Sequence, residues 1–540
     1  MSPTGPSGPA RGRTPAPAPG PAAEQADPAR WRALGVCLAV GFMTLLDVSI
    51  VNVALPSIEG SLGAGPSQVQ WIVAGYALAF GLALVPAGRV GDVWSRRSVF
   101  LVGLAGFVLT SALAGLVQSA TALAVVRLLQ GVTAGLVNPQ VLALIQQLFT
   151  GAERGRAFAA FGTTVGLSTA VGPLLGGAII QVFGVEEGWR GVFLVNVPIG
   201  LVLLPLAWRW LPRDRSARPD GARGVRGLHL DVVGLLLLAA AVVLLMLPFV
   251  LTTGEDAPPA RWALLAPGAL LLVAFVAWER RLGRRGGDPV VRGELVRTGS
   301  FSNGAAVGIT YFAGFTGIFL VVTLYLQSGL GLSPLQAGLV QTPFALASAV
   351  TAQVGGRQVV RRGRITVVVG LLVSAAGLTA ADVVAATAQG TAGAVALSAC
   401  LAVTGAGSGL VISPNQTLTL ADVPRAVAGV AGGVLQTGQR VGSAVGVAAV
   451  TAVFFTSLAG AGLSGAGGPA TGTPPADVQA VFGSALSAGL RVSLALVLLA
   501  LAAAVVDLVR RRRTGEDEGI APPPGPQRGA PAGRGLRSGG

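Results

Sequence analysis

The chain has 540 residues, 52% of them hydrophobic and only 11% charged, with a mean hydropathy of +0.70. A soluble chain of this length would form several domains, with about a quarter of its residues charged to cover them; large soluble enzymes are therefore excluded in favour of a polytopic membrane protein. The formal net charge is +15, and because every basic residue is arginine, the Gly-Lys-Ser/Thr of a Walker-type ATP site and lysine Schiff-base chemistry are excluded too.

In chain order, residues 1–30 are rich in Pro, Gly and Ala and predict a disordered tail, as do residues 510–540 at the other end. A spanning helix needs about 20 mostly apolar residues. Fourteen runs qualify, at about 33–54, 70–90, 98–117, 120–142, 157–182, 190–210, 231–252, 262–279, 301–326, 336–356, 365–386, 391–413, 426–457 and 487–509. The first is not a cleavable signal peptide, since it lacks a small-residue cleavage site and holds Asp47 and Asn52.

Arginine placement sets the orientation. Arg30 and Arg32, Arg89 to Arg97, Arg154 and Arg156, Arg213 to Arg226, Arg280 to Arg297, Arg357 to Arg364, Arg425 and Arg510 to Arg513 all flank loops or tails on one side. The opposite loops hold Arg190 and Arg261 alongside several acids. That alternation predicts a multi-pass plasma-membrane protein with both termini cytoplasmic. Basic residues on short loops beside apolar helices are accounted for by orientation and anionic lipid, so no nucleic-acid partner is expected. His229 is the sole histidine, which leaves no histidine metal site or proton relay, and no cofactor or metal is expected. Cys37 and Cys400 lie in apolar runs and read as packing rather than a disulfide.

Four segments carry candidate chemistry. In span 1, Leu46-Asp47-Val48-Ser49-Ile50-Val51-Asn52-Val53-Ala54-Leu55-Pro56 buries an aspartate. Hydrocarbon disfavours the charged form of a carboxyl group, so Asp47 is either a proton carrier or an acid hydrogen-bonded to a neighbouring helix. Between spans 2 and 3, Gly88-Arg89-Val90-Gly91-Asp92-Val93-Trp94-Ser95-Arg96-Arg97 predicts a tight turn. Its acid and arginines can make charge-assisted bonds to a neighbouring helix end, made in one conformation and broken in another; a generic positive-inside loop is the plainer reading. In span 4, Arg127 lies several positions from either helix end beside Gln130 and Gly131. It must face a cavity or partner unless it snorkels. In span 5, Gly162, Gly166, Gly172, Pro173, Gly176 and Gly177 allow close helix approach and a bend, which ordinary small-residue packing also explains.

Together these residues resemble the major facilitator superfamily, specifically its fourteen-span drug:proton antiporters of the EmrB/QacA kind. Residues 88–97 look like cytoplasmic motif A, Arg127 with Gln130 and Gly131 like motif B, Gly172 to Gly177 like the antiporter motif C, and 46–56 like the first-helix signature. Val93 and Ser95 depart from motif A, where Arg and Gly are usual.

The resemblance implies an all-α major facilitator fold with 14 transmembrane helices arranged 6 + 2 + 6. Residues 31–210 would form the N-terminal half, 211–230 a cytoplasmic loop, 231–280 two inserted helices, 281–300 a second loop and 301–509 the C-terminal half. Gly356-Arg357 through Arg364 would then echo motif A in a parallel repeat. The cavity would lie between the halves, with Asn52, Gln327, Gln341, Asn415, Gln436 and Arg440 as candidate lining; interhelical hydrogen bonding is the other reading of each.

The implied function is efflux of a small amphipathic compound in exchange for protons by a secondary transporter that is not an enzyme and takes no ATP. Asp47 and Arg127 would couple protons; Gly88, Gly91, Asp92, Arg96 and Arg97 would gate the cytoplasmic side. Export of lipid or cell-envelope precursors is an alternative, and proton-coupled nutrient import a weaker one because motif C disfavours it. Spans 9, 10, 12 and 13 contain no Asp or Glu, so cargo with two positive charges is not expected.

Overall fold

Long apolar runs broken by Ser, Gly and Pro at their ends dictate helices, and that is what forms. The computed structural model describes residues 29–64, 66–184, 186–213, 231–250, 259–287, 289–291, 293–388, 390–461 and 475–514. The first helices are α1 (Ala29–Leu62), α2 (Pro66–Val93), α3 (Arg96–Leu116), α4 (Ala120–Leu148), α5 (Gly151–Phe183), α6 (Gly188–Leu194) and α7 (Asn196–Trp210). Next come α8 (Val232–Val250), α9 (Leu265–Arg284) and the short α10 (Gly293–Arg297). The remainder are α11 (Gly299–Leu324), α12 (Pro334–Arg362), α13 (Arg364–Thr387), α14 (Gly390–Thr419), α15 (Ala428–Gly460) and α16 (Ala476–Thr514). Ser95 and Ser119 cap α3 and α4 by accepting from the backbone N–H three residues on, at 3.1 and 3.2 Å.

Among the described residues, twelve helical spans are long and apolar enough to cross a membrane. α8 is a shorter apolar helix, and α12 is diluted by Gln336, Gln341, Gln353 and three arginines, yet each packs within the assembly. The exposed faces are oily: Val102, Leu109 and Leu116 of α3 are 56%, 61% and 65% exposed, on a surface that only lipid would solvate.

α1 to α7 pack on one another, as do α11 to α16. The two groups meet along two seams, α2 and α4 against α15, and α5 against α12 and α14. α8 and α9 pair with each other, and α8 lies against α2 and α15, flanking one seam.

Three local expectations differ. The segment expected as a tight turn at 88–97 is helical through Val93, and only Trp94 and Ser95 break the chain before α3. Gly88, Gly91 and Asp92 therefore project from the last turns of α2, because nothing before Trp94 halts the helix. The sixth apolar run is divided at Val195 into α6 and α7. The expected tails at 1–30 and 510–540 lie outside the described residues, apart from Ala29 and Arg30, which open α1, and Arg510 to Thr514, which extend α16. His229 and most of the 211–230 loop also lie outside the described residues.

Candidate functional site

The buried charge of α1 is met by α4. Asp47 Oδ2 lies 2.5 Å from Arg127 Nη1, both side chains being almost wholly buried. Its other oxygen, Oδ1, accepts from Gln130 Nε2 at 3.1 Å and Asn196 Nδ2 at 3.0 Å. Gln130 also donates to Ser111 Oγ at 2.8 Å. Arg127 donates through Nε to the Ile72 carbonyl at 3.2 Å and through Nη1 to Gln130 Oε1 at 2.8 Å. Its guanidinium carbon lies 4.0 Å from the centroid of the Tyr76 ring. Gly131 has a steric role, since a Cβ there would overlap the Tyr76 carbonyl oxygen of α2. Helices α1, α4 and α7 thus meet at one carboxylate, satisfying both of its oxygens, as a charge removed from water requires.

A second cluster ties the two groups together at the end of α2. Asp92, with its side chain 1% exposed, accepts from the backbone N–H of Gly429 at 3.0 Å and of Val430 at 2.9 Å. These donors belong to the first turn of α15, whose N–H groups have no partner within their own helix and whose dipole favours an anion. Arg96 grips the same carboxylate through Nε at 3.1 Å and Nη2 at 2.7 Å. It also donates to the Arg425 carbonyl at 2.5 Å and to Gln147 Oε1 at 3.0 Å. Arg97 turns outward, donating to the Trp208 carbonyl within the first group. A Cβ at Gly88 would overlap the Gly429 carbonyl, and one at Gly91 the Gln140 amide. Nearby, Gln146 donates to the Leu420 carbonyl at 2.8 Å and Arg154 to that of Ala421 at 3.4 Å, both across the seam.

The small residues of α5 face two ways. Gly172 and Gly176 lie against Ser49 and Ile50 of α1, close enough that a Cβ on Gly172 would overlap the Ser49 hydroxyl. Gly162 and Gly166 lie against Ser413, Ala352 and Ser348 across the seam, and Gly177 faces open space. Pro173 lies inside the continuous α5.

The remaining candidates are scattered. Asn52 lies in α1 with its side chain outside the described residues. Gln341 donates to Thr323 Oγ1 at 3.0 Å, joining α12 to α11. Gln327 sits in a π-helical turn, Tyr325–Gly329, after α11. Asn415 donates to the Gly304 carbonyl at 2.8 Å, and its Oδ1 has no partner among the described residues. Gln436 is buried in α15, and Arg440 lies over the Phe80 ring of α2, 4.6 Å from its centroid.

Sequence reasoning missed Tyr76, Ser111 and Asn196 around Asp47, and the α15 N-terminus opposite Asp92. Asn196 carried a usable signal as an amide inside an apolar run. It also missed two acid clusters at helix ends. Asp231 accepts from Trp278 Nε1 at 2.9 Å close to Glu279, and Asp507 pairs with Arg364 at 2.5 Å.

Residues 37–447 match the family model described as Major Facilitator Superfamily. The chain is 36% identical over 460 residues to the probable actinorhodin transporter of Streptomyces coelicolor, covering 82% of this chain and 76% of that one. It is 37% identical over 430 residues to the puromycin resistance protein pur8 of Streptomyces alboniger, covering 79% and 82%. Among solved structures, the human organic anion transporter MFSD10 (TETRAN) superposes with a TM-score of 0.59 at 17% identity, over 87% of this chain and all of that one. That likeness concerns the fold alone.

Proposed function

The chain belongs to the major facilitator superfamily, and from that premise we propose that it exports small amphipathic compounds of drug or antibiotic type across the plasma membrane in exchange for protons. Residues 31–210 and 301–509 serve as two halves that rock about a central site, residues 231–280 flank them as an insert, and both termini face the cytoplasm. The observation that carries this reading is the Asp92 latch. The halves are held at one end through hydrogen bonds to a helix terminus, a set that can be made and broken together.

In this scheme the latch closes the cytoplasmic side while cargo leaves outward. Asp47, neutralised by Arg127 when ionised, takes up the incoming proton, and protonation frees the arginine from its partner. Gly162 and Gly166 supply the smooth sliding surface of α5 against the second half, while Gly172 and Gly176 seat α5 on α1. Relatives that bear the names of antibiotic transporters and resistance proteins support the cargo class.

The test is accumulation of a fluorescent amphipath in a pump-deleted host expressing the chain. Expression should lower accumulation, and a proton uncoupler should restore it. Accumulation equal to the empty-vector control across a broad panel would sink the export reading. Lowered accumulation that persists with the uncoupler would leave export standing and remove proton coupling.

A further inference from the structure

Tyr76 and Phe80 of α2 stack with ring centroids 6.1 Å apart and planes inclined by 19°. Each ring carries a guanidinium, Arg127 over Tyr76 at 4.0 Å and Arg440 over Phe80 at 4.6 Å. Arg440 comes from the opposite half. It lies twelve residues into α15, about 18 Å from the helix start at 1.5 Å per residue, and so near the middle of a hydrocarbon core about 30 Å thick.

The two cations differ in one respect. Arg127 is neutralised by Asp47 at 2.5 Å, and both oxygens of that carboxylate are occupied. Among the described residues no carboxylate and no hydrogen-bond acceptor meets Arg440. Of the helices packed on α15, α4, α8 and α11 contain no Asp or Glu, and α2 and α16 carry theirs only near their ends, at Asp92, Asp477 and Asp507. Its neighbours on α15 are already matched, Thr437 donating to the Gly81 carbonyl at 3.2 Å and Ser443 pairing with Thr316 at 2.9 Å. Taken as a whole residue, Arg440 is only partly buried.

An aromatic face attracts a cation through its quadrupole but supplies no counter-charge. A guanidinium at this depth is costly unless an anion joins it, and in a purely structural bundle the resident helices would be expected to provide one. Here the Asp47, Arg127 and Arg440 cluster carries a net single positive charge beside an aromatic ladder.

We propose that Arg440 is the charge-selecting residue of the substrate site, and that the cargo is an aromatic compound with one ionised acidic group, a carboxylate or phenolate. The acid pairs with Arg440 while the aromatic body lies between the two halves. This rests on the export reading and narrows it, since the sequence alone excluded only doubly positive cargo.

The experiment uses the purified full chain and three probes of one shape, pyrenebutyrate, its neutral amide and its trimethylammonium analogue, with binding read by fluorescence and export read in cells. The wild-type chain should bind the acid at least about tenfold more tightly than the amide or the cation, the scale of one partly desolvated ion pair. Arg440→Gln should bring the acid-to-amide ratio to within about twofold of one, and Arg440→Lys should keep most of the preference.

An acid-to-amide ratio unchanged between wild type and Arg440→Gln would overturn the proposal. If that variant does not fold, a wild-type ratio near one overturns it equally. Loss of acid binding on adding phosphatidylglycerol, with no such loss on adding zwitterionic lipid, would assign the charge to lipid headgroups and also overturn it. Energy-dependent export of none of the three probes would count against the export reading, while the binding ratio would still decide the role of Arg440.

Discussion

Replacing Asp92 by asparagine tests the latch with little change in shape. The carboxylate accepts two backbone N–H groups of α15 and two from Arg96, at 2.7 to 3.1 Å. Asparagine keeps one acceptor oxygen, puts an NH2 group where the second acceptor was, and removes the charge facing both the helix terminus and Arg96. A hydrogen bond to a charged group contributes about 1.5–3 kcal/mol, and an anion at a helix N-terminus about 0.3–1 kcal/mol. Solvent screening is slight, because the Asp92 and Arg96 side chains are 1% and 9% exposed. The substitution should therefore disfavour the closed arrangement by about 2–4 kcal/mol, a change of roughly 30- to 1,000-fold in the ratio of closed to open forms. Spin labels at Arg209 and Arg361, exposed at the ends of α7 and α12, report it by pulsed electron resonance in a cysteine-free background. The wild type should give a short, narrow distance distribution, and Asp92→Asn a second, longer population that becomes the major one. Superimposable distributions from two folded proteins would refute the latch.

Three further outcomes are expected. Asp47→Asn should leave folded protein in the membrane but abolish substrate-driven proton release from vesicles; intact release would remove Asp47 from the coupling. Arg127→Ala leaves a fully buried carboxylate with neutral donors only, at a cost of about 3–5 kcal/mol. Membrane yield should fall, and adding Asp47→Asn to it should restore yield; no recovery in the double variant would show that the two charges do not compensate each other. Gly172→Val should lower thermal stability by at least the roughly 1–3 kcal/mol of an overpacked contact. Gly177→Val, which projects into open space, should change it by under about 0.5 kcal/mol, and equal effects at the two glycines would contradict the packing of α5 on α1.

Helix positions were legible in the sequence because the signal is local: an apolar run of sufficient length has few alternatives to helix in lipid. Asp47 and Arg127 were legible as anomalies, charges where charge is costly. Their surroundings were not, because Asn196, Tyr76 and the Ser111 that meets Gln130 arrive from three other helices, and no spacing along the chain encodes that meeting. Asp92 was legible as an acid beside arginines at the end of a span, and its carboxylate accepts from the start of α15. The turn assigned to it was mistaken because Gly88 and Gly91 look like turn residues, whereas here they remove side-chain bulk where α2 touches α15 and Gln140. Glycine pattern alone does not separate a bend from a close approach. α12 was recognised as a span by its apolar stretch at 336–356, although its polar ends dilute the whole helix.

The clusters also share a part. α2 offers the Ile72 carbonyl to Arg127, the Tyr76 ring to the same guanidinium, the Phe80 ring to Arg440, the Gly81 carbonyl to Thr437 and Asp92 to the start of α15. From residue 72 to residue 92 is about 30 Å along a helix. A helix is stiff along its axis, and the one weakened place here is Pro86, which cannot donate to the carbonyl four residues earlier and sits between the aromatic rings and the latch. Neutralising Asp47 would release the arginine that holds the Ile72 end, and that release would reach Asp92 through one rod with one hinge. No contiguous network of side chains is then required. The two sites need only compete for the position of α2, and each already holds it by a charge buried in the protein.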